Sequence, residues 1–178
     1  AGAWIAGPLN LTGATARGRL RLAFCHFDSP VEAQDAQLPG LNLQGSRLPG
    51  LDLQRSKVEG PLLLYNGFHA TVGVNISGVS IGSQLACTGG RFDCANGSAL
   101  NAQGARVADG AFLSDGFNAT GEVSLSGASI GGQLNCQGGV FSNGAGYALN
   151  AQYLRVGKGF LFRRATVAAG VLYLNGAS

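Results

Sequence analysis

The chain has 178 residues, of which 46% are hydrophobic and 12% are charged, and its formal net charge is +3. This length suits one domain, no run of 18 apolar residues could span a membrane, and the modest positive charge lacks the footprint of a nucleic-acid-binding protein. With 30 glycines, no methionine and few Glu or Lys residues, the composition also argues against helices.

A five-residue periodicity dominates residues 36–66. Apolar or small residues separated by one position recur in steps of five, as Ala36/Leu38, Leu41/Leu43, Ser46/Leu48, Leu51/Leu53 and Ser56/Val58. This is strand alternation, in which every second side chain points to one face. A helix would need apolar residues three and four positions apart, so this segment is predicted to consist of short strands.

Residues 67–115 and 116–164 form an internal repeat of 49 positions. The phrase GFHATVGVNISGVSIGSQLACTGGRF at 67–92 returns as GFNATGEVSLSGASIGGQLNCQGGVF at 116–141. A third copy starts near residue 165 and stops within the phrase. Self-similarity at such a period is typical of a solenoid, whose units pack on their neighbours and share a continuous core.

Short strands with a corner every five or six residues fit a chain that winds into flat-sided coils. Each strand would pair in parallel with the strand of the coil below, so we predict an all-β parallel β-helix. Eight faces in each 49-residue repeat correspond to two four-sided coils, with an extra corner loop around residues 142–147. A three-sided helix with three coils per repeat stays open if that loop supplies a ninth face.

The predicted organisation is a single β-helix domain over the whole chain. Its segments are irregular N-terminal coils at 1–35, five-residue coils at 36–66, repeat one at 67–115, repeat two at 116–164 and a truncated repeat three at 165–178.

Residues 36–64 resemble pentapeptide-repeat proteins. The blocks SRLPG, LDLQR and SKVEG at 46–60 are close to that family's pattern of a small residue, a polar residue, a central Leu and two variable positions. The resemblance implies a right-handed four-sided β-helix. The phrase Leu-x-Gly-Ala-x-Ile-x-Gly at 125–132 is also similar to bactofilins, bacterial β-helices that polymerise end to end. The positive charge argues against one role of the pentapeptide family, acidic mimicry of the DNA duplex.

Cysteines are the first candidates for chemistry. Cys87 and Cys136 lie one repeat apart and each follows an inward leucine by two positions, which places them about 10 Å apart in one core column, beyond disulfide reach. We interpret them as buried small hydrophobes, with a disulfide between Cys87 and Cys94 as the alternative. No metal site is predicted, because Cys-x2-Cys is absent and His26 and His69 have no repeated partners.

Carboxylates give no enzyme signature. None recurs at a spacing that would align two of them on neighbouring coils, and as corner residues they favour turns; these are Asp28, Glu32, Asp35, Asp93, Asp109 and Asp115. The glycines lie at corners and do not form a phosphate-binding loop. We therefore predict no catalytic residue and no cofactor, and we expect no small-molecule ligand.

Basic residues are the first group of interaction candidates. Arginines alternate with glycine or leucine near the start of the chain, which should direct three guanidinium groups out of one face, and two more occupy equivalent positions one repeat apart; these candidates are Arg17, Arg19, Arg21, Arg106 and Arg155.

The two ends of the predicted helix form the second group. Terminal coils present unpaired backbone groups and an open apolar cross-section. Trp4, with its neighbours Ile5 and Pro8, is expected to plug the first coil, whereas nothing after Val171, Leu172 and Leu174 could cover the last one. We expect the C-terminal coil to pair with a continuation of the chain or with another copy.

The function expected from these features is a non-catalytic structural or interaction solenoid. It would assemble end to end with itself or present a flat face to a protein partner. The alternatives are a binding module of a larger protein and a carbohydrate-active β-helix enzyme, which would need a cleft lined by clustered Asp, Arg and Lys. The compartment is open, although the lack of a signal peptide and cysteines interpreted as free thiols favour the cytoplasm.

Overall fold

The chain folds as a β-solenoid. The computed structural model describes residues 2–178, apart from the side chains of residues 95 and 96. Parallel strands stack into about 7 turns with a spacing of roughly 23 residues. Over the described range no helix is present, and hence none long and apolar enough to cross a membrane. The predicted all-β class and parallel β-helix architecture are confirmed.

A ten-stranded sheet covers two sides of each coil. Its strands are β1 (Trp4–Ile5), β2 (Leu9–Asn10), β4 (His26–Phe27), β5 (Val31–Glu32), β8 (Arg47–Asp52), β11 (His69–Asn75), β14 (Arg91–Asn101), β17 (Asn118–Ser124), β20 (Val140–Asn150) and β23 (Thr166–Tyr173).

Two further sheets cover the other sides. The six-stranded sheet contains β6 (Gln37–Leu38), β9 (Lys57–Val58), β12 (Ser80–Ile81), β15 (Arg106–Val107), β18 (Ser129–Ile130) and β21 (Arg155–Val156). The seven-stranded sheet contains β3 (Leu20–Arg21), β7 (Leu41–Asn42), β10 (Leu62–Leu63), β13 (Leu85–Ala86), β16 (Ala111–Phe112), β19 (Gln133–Asn135) and β22 (Gly159–Leu161).

Each coil has four sides. β4 and β5 are separate strands on successive sides, and both pair with the single bent strand β8. The first and second faces of the solenoid are therefore the two halves of the ten-stranded sheet, the third face is the six-stranded sheet and the fourth face is the seven-stranded sheet. The three-sided alternative is wrong, because the loop around residues 142–147 is part of β20 and supplies no ninth face.

In every coil two of the four corners contain residues with positive φ. Between the second and third faces these are Gly13, Asp35, Arg55, Gly78, Gly104, Gly127, Tyr153 and Gly176. The turn is supported by side chains just before it, since Asn75 Oδ1 accepts a hydrogen bond from the Ser77 N–H, as in other coils. Asn and Asp favour such turns because they satisfy backbone donors locally.

The 49-residue repeat has a cause in the packing of the core. Phe68 lies opposite Gly90, and Ala70 lies opposite Phe92, so each coil places its ring where the next coil has a small residue. The same exchange recurs through Phe117. Ring centroids are 5.2 and 5.1 Å apart along this ladder. Two coils are needed before the pattern repeats, which makes the unit twice as long as one turn.

Long corner loops follow the same alternation. The strands β14 and β20 have 11 residues each and bulge outward between the first and second faces. The coil between them passes close beneath with Gly121, where an added Cβ would lie 2.3 Å from the carbonyl oxygen of Cys94. Gly121 also has a φ of 118°, so both its backbone angle and the space around it require glycine.

Trp4 does not plug the first coil. Its Cα pairs with that of His26 in an outward row, and the residue is 71% exposed. The indole Nε1–H donates to Asp28 Oδ2 at 2.9 Å, and the ring lies 4.6 Å from the imidazole of His26 between centroids. The strand alternation at Trp4 and Ile5 directs the indole outward, so its bulk covers the first face and not the coil mouth.

The predicted inward register is confirmed by burial. Residues expected in the core are at most 2% exposed, namely Leu125, Ile130 and Leu134 with their repeat mates Ile76, Ile81 and Leu85.

We expect Ile130→Asp to abolish cooperative unfolding, because an unpaired carboxylate in this core costs several kcal/mol. The neighbouring outward variant, Ser129→Asp, is the control and should melt like the parent. Thermal unfolding followed by circular dichroism measures both. Equal melting temperatures for the two variants would contradict the inward orientation of Ile130.

Candidate interaction surfaces

The third face carries a row of alternating cationic and serine side chains. Successive coils place Lys57, Ser80, Arg106, Ser129 and Arg155 side by side in register. The sequence identified Arg106 and Arg155 but missed Lys57, which precedes Arg106 by the same 49 positions. The repeat spacing was the available signal. It was overlooked because Lys57 lies before the segment in which the repeat is recognisable.

Beside this row the third face is depressed. A shallow depression of about 620 Å³ extends over the coils from Lys57 to Ser129. Its floor lacks side chains at Gly82 and Gly131, with only a methyl group at Ala108. At Gly82 a Cβ would lie 2.2 Å from the carbonyl oxygen of Glu59, so the close approach of adjacent coils keeps this floor bare.

The three arginines near the start of the chain do not share one face. Arg19 and Arg21 flank Leu20 on the fourth face, where they line a depression of about 200 Å³. Arg17 follows the short third-face segment that begins with the bridge between Thr15 and Gln37. All three arginines are exposed. The corner that separates the two faces lies between Arg17 and Arg19, which simple alternation did not reveal.

The outward row of the fourth face is apolar at its centre. Leu63, Ala86 and Phe112 occupy adjacent coils, preceded by Asn42 and followed by Asn135. Phe112 lies over the bare backbone of its own strand, since a Cβ on Gly110 would be 2.9 Å from its Cζ. Leu63 and Phe112 are half-buried and Ala86 is buried, so the row is flat.

The second face shows the opposite chemistry. Its outward positions are polar in the six middle coils, with Glu32, Asp52, Asn75, Asn101, Ser124 and Asn150 in register. Asp and Asn in this row accept hydrogen bonds from backbone N–H groups of the following corner, as Asn42 and Asn135 do on the fourth face. Leu63, Ala86 and Phe112 cannot form such a bond, so the apolar row departs from this pattern.

Charged and aromatic side chains cluster on the first face. Its outward row contains Trp4, His26, Arg47, His69 and Arg91 on consecutive coils. The two histidines have no repeated partners in the sequence, but each has an aspartate nearby: Asp93 of the next coil approaches His69, and Asp28 lies two positions after His26. His69 Nε2 donates to Asp93 Oδ2 at 2.9 Å, and His26 Nε2 lies 3.5 Å from Asp28 Oδ1.

Asp93 is the centre of this cluster. The side chain is 21% exposed and accepts a second hydrogen bond from Arg91 Nε at 2.8 Å. Burial raises the pKa of Asp93, but hydrogen bonds from His69 and Arg91 lower it by more, so the carboxyl titrates below its usual range. The prediction of a solvated turn residue is wrong for Asp93, because it continues the first-face part of strand β14 opposite Thr120, where strand alternation places its carboxylate beside Arg91.

Asp35, Asp109 and Asp115 lie at corners, as expected, whereas Glu32 belongs to strand β5. Asp109 and Asp115 are exposed, and Asp35 sits at a positive-φ corner where Arg55 from the next coil donates two hydrogen bonds to it. The hydrogen bond from Arg55 lowers the pKa of Asp35. Within the described part of the chain, no group of three His, Cys, Asp or Glu side chains could hold a metal ion.

The cysteines lie where the repeat predicts, with no disulfide. Cys87 and Cys136 are fully buried, and all four cysteines in the described chain are free thiols. The alternative bridge from Cys87 to Cys94 is therefore not formed, since Cys87 faces the core and Cys94 belongs to the β14 corner. Burial raises the pKa of Cys87 and raises that of Cys136 to about 12, which leaves both thiols unreactive at neutral pH.

The last coil has exposed apolar side chains. Val171 is 50% exposed and Leu174 is 40% exposed, whereas Leu172 pairs with Leu149 and is half-buried. Inward residues of the first coil, such as Leu9, are also only half-buried.

Comparisons with protein-family models, curated proteins and solved structures give no match. The fold is that of a parallel β-solenoid, and the finer resemblances to pentapeptide-repeat proteins and bactofilins have no support from a family match.

We expect Asp93→Asn to lower the free energy of unfolding at pH 7 by about 1 kcal/mol, because charge-assisted hydrogen bonds to a partly exposed carboxylate are lost. The folded-state pKa lies below the ordinary value of 3.8, so the stabilisation is complete above that value and disappears as the pH falls through the folded-state pKa.

Urea unfolding of parent and variant between pH 7 and about pH 2 measures this difference. The exposed corner variant Asp115→Asn is the matched control and should show little difference at any pH. If the difference in free energy of unfolding between the parent and Asp93→Asn stays constant down to the lowest pH, the ionised Asp93 does not stabilise the fold as proposed.

Proposed function

We propose that this chain is a non-catalytic interaction solenoid that binds a protein partner through its fourth face. The supporting observation is the outward apolar row of Leu63, Ala86 and Phe112. Large apolar patches on a soluble surface are commonly interaction sites. On the second face of the same solenoid the outward positions before the corner are polar, so the apolar row on the fourth face is not a general property of this fold.

The shape of the fourth face suits a flat partner surface. Its strands are two or three residues long and lie in one plane of parallel rungs, and small residues such as Gly110 keep it level. Arg19 and Arg21 lie at one end beside Leu63. A partner with an apolar centre and acidic residues at its edge matches this arrangement, with Phe112 as the largest apolar anchor.

A photo-crosslinking amino acid at position 63 tests the proposal. Placed there, it should capture one partner that the same group at position 75, on the polar second face, does not capture. With the purified partner, Phe112→Asp should weaken binding at least tenfold, about 1.4 kcal/mol, whereas Asn135→Asp in the next coil of the same row should have a small effect. Equal capture from both faces, or full affinity of Phe112→Asp, would overturn the proposal.

End-to-end association is a second candidate. The observation that favours it is the partial exposure of apolar side chains in both terminal coils, including Val171 and Leu174 at one end and Leu9 at the other. Because the two ends are cross-sections of one solenoid, a second copy could continue the rungs in parallel. Such a head-to-tail contact does not close and would give filaments.

Sedimentation of chain 1–178 over a range of concentrations tests this second candidate. A charged capping helix added after Ser178 should suppress the assembly while leaving the β spectrum in circular dichroism unchanged. If the uncapped chain stays monomeric at high concentration, end-to-end association is excluded.

A further inference from the structure

The cations on the third face form a comb with a fixed period. Lys57, Arg106 and Arg155 recur every second coil, so adjacent cations are about 9.6 Å apart at the usual strand spacing. Each gap holds a serine, Ser80 or Ser129. Short hydroxyl side chains between long cationic ones leave open slots along the solenoid axis.

These cations are available to a ligand. Neither Arg106 nor Arg155 forms an ion pair with any residue that the structure describes. Lys57 lies 3.3 Å from Glu59, but both side chains are more than 60% exposed, and an ion pair of this kind contributes little. An incoming anion therefore meets two unpaired guanidinium groups and one weakly engaged ammonium group, and the Glu59 carboxylate lies beside that ammonium group.

The surface beside the comb is shaped for an extended chain. Gly82, Ala108 and Gly131 form the bare floor of the depression that runs alongside the cations. A polymer lying there would follow the solenoid axis and meet the cations in turn. From Gly82 to Gly131 the floor offers close contact without side-chain obstruction, whereas Glu59 occupies the same column in the coil of Lys57. Ser80 and Ser129 offer hydroxyl groups to polar atoms between the charges.

The spacing of the cations narrows the class of polymer. In a β-extended polypeptide, side chains on one side recur about every 6.6 Å, which does not match a 9.6 Å comb. A polyproline II peptide has a three-residue turn of about 9.3 Å, and it would match the comb only with an acidic residue at every third position. Duplex DNA needs a broad basic surface, whereas the net charge here is +3. An acidic polysaccharide with a carboxylate on alternate sugars carries its charges farther apart along a flat ribbon. We propose that the third face binds an acidic polysaccharide of this type, with its carboxylates on Lys57, Arg106 and Arg155.

Titration calorimetry and affinity electrophoresis with hyaluronan oligosaccharides, whose carboxylates alternate, test the inference. Hyaluronan should bind at least tenfold more tightly than polyglutamate or duplex DNA of equal charge, and uncharged dextran should not bind. Replacing Lys57, Arg106 and Arg155 together with Ser should weaken hyaluronan binding at least tenfold and reduce its salt dependence.

A matched control removes the same charge elsewhere. Arg47, Arg163 and Arg164 are exposed and lie outside the comb, and replacing all three with Ser should leave hyaluronan affinity within twofold. The single variant Ser129→Glu, which places a carboxylate between two cations, should weaken binding more than Ser126→Glu at the corner between the second and third faces. Circular dichroism establishes that each variant is folded.

Three results would overturn the inference. They are no hyaluronan binding by the parent chain, an equal loss in the comb and control triple variants, and tighter binding of polyglutamate or DNA than of hyaluronan. The inference is independent of the protein-binding proposal, since the comb lies on the third face and the apolar row lies on the fourth.

Discussion

Backbone hydrogen bonds between successive coils are the constraint on which the other features depend. They run in parallel along all four sides, as in the bond from His69 N–H to the Ser46 carbonyl at 2.8 Å and the next one from Arg91 N–H to Phe68. Because every coil must keep this register, any side chain directed outward has a neighbour of the same orientation one rung away. Outward side chains therefore form rows along the solenoid axis, and a ligand or partner meets such a row and not a single residue.

The inside and the outside of the solenoid share one period. In the core, phenylalanine and glycine exchange places from one coil to the next, and on the third face cations alternate with serines. Both alternations take two coils to complete. The interior pattern is explained by packing, since two rings at the same position in adjacent coils would leave a void opposite them. Packing imposes no such requirement on Lys57, Arg106 and Arg155, whose side chains point to solvent.

Strand alternation and the repeat were enough to predict the fold, the inward residues and the buried pair Cys87 and Cys136. These features depend on local spacing of two, five or 49 positions. The partner of His69 was missed because it depends on the length of each coil, which varies, and Lys57 was missed because it precedes the recognisable repeat. Arg47 follows His26 by 21 positions, whereas Asn118 follows Arg91 by 27. The plug predicted for Trp4 is wrong because strand alternation, and not the size of the side chain, decides which way the indole points.

The exchange of Phe68 and Gly90 between neighbouring coils also limits how the gene for such a chain can grow or shrink. Loss of a single coil would set Phe68 beneath Phe117 and Ala70 beneath Ala119, crowding one position and emptying the other. Loss of two coils restores the original contacts. Viable changes in length therefore come in steps of one full 49-residue unit, and each step adds or removes one cation on the third face.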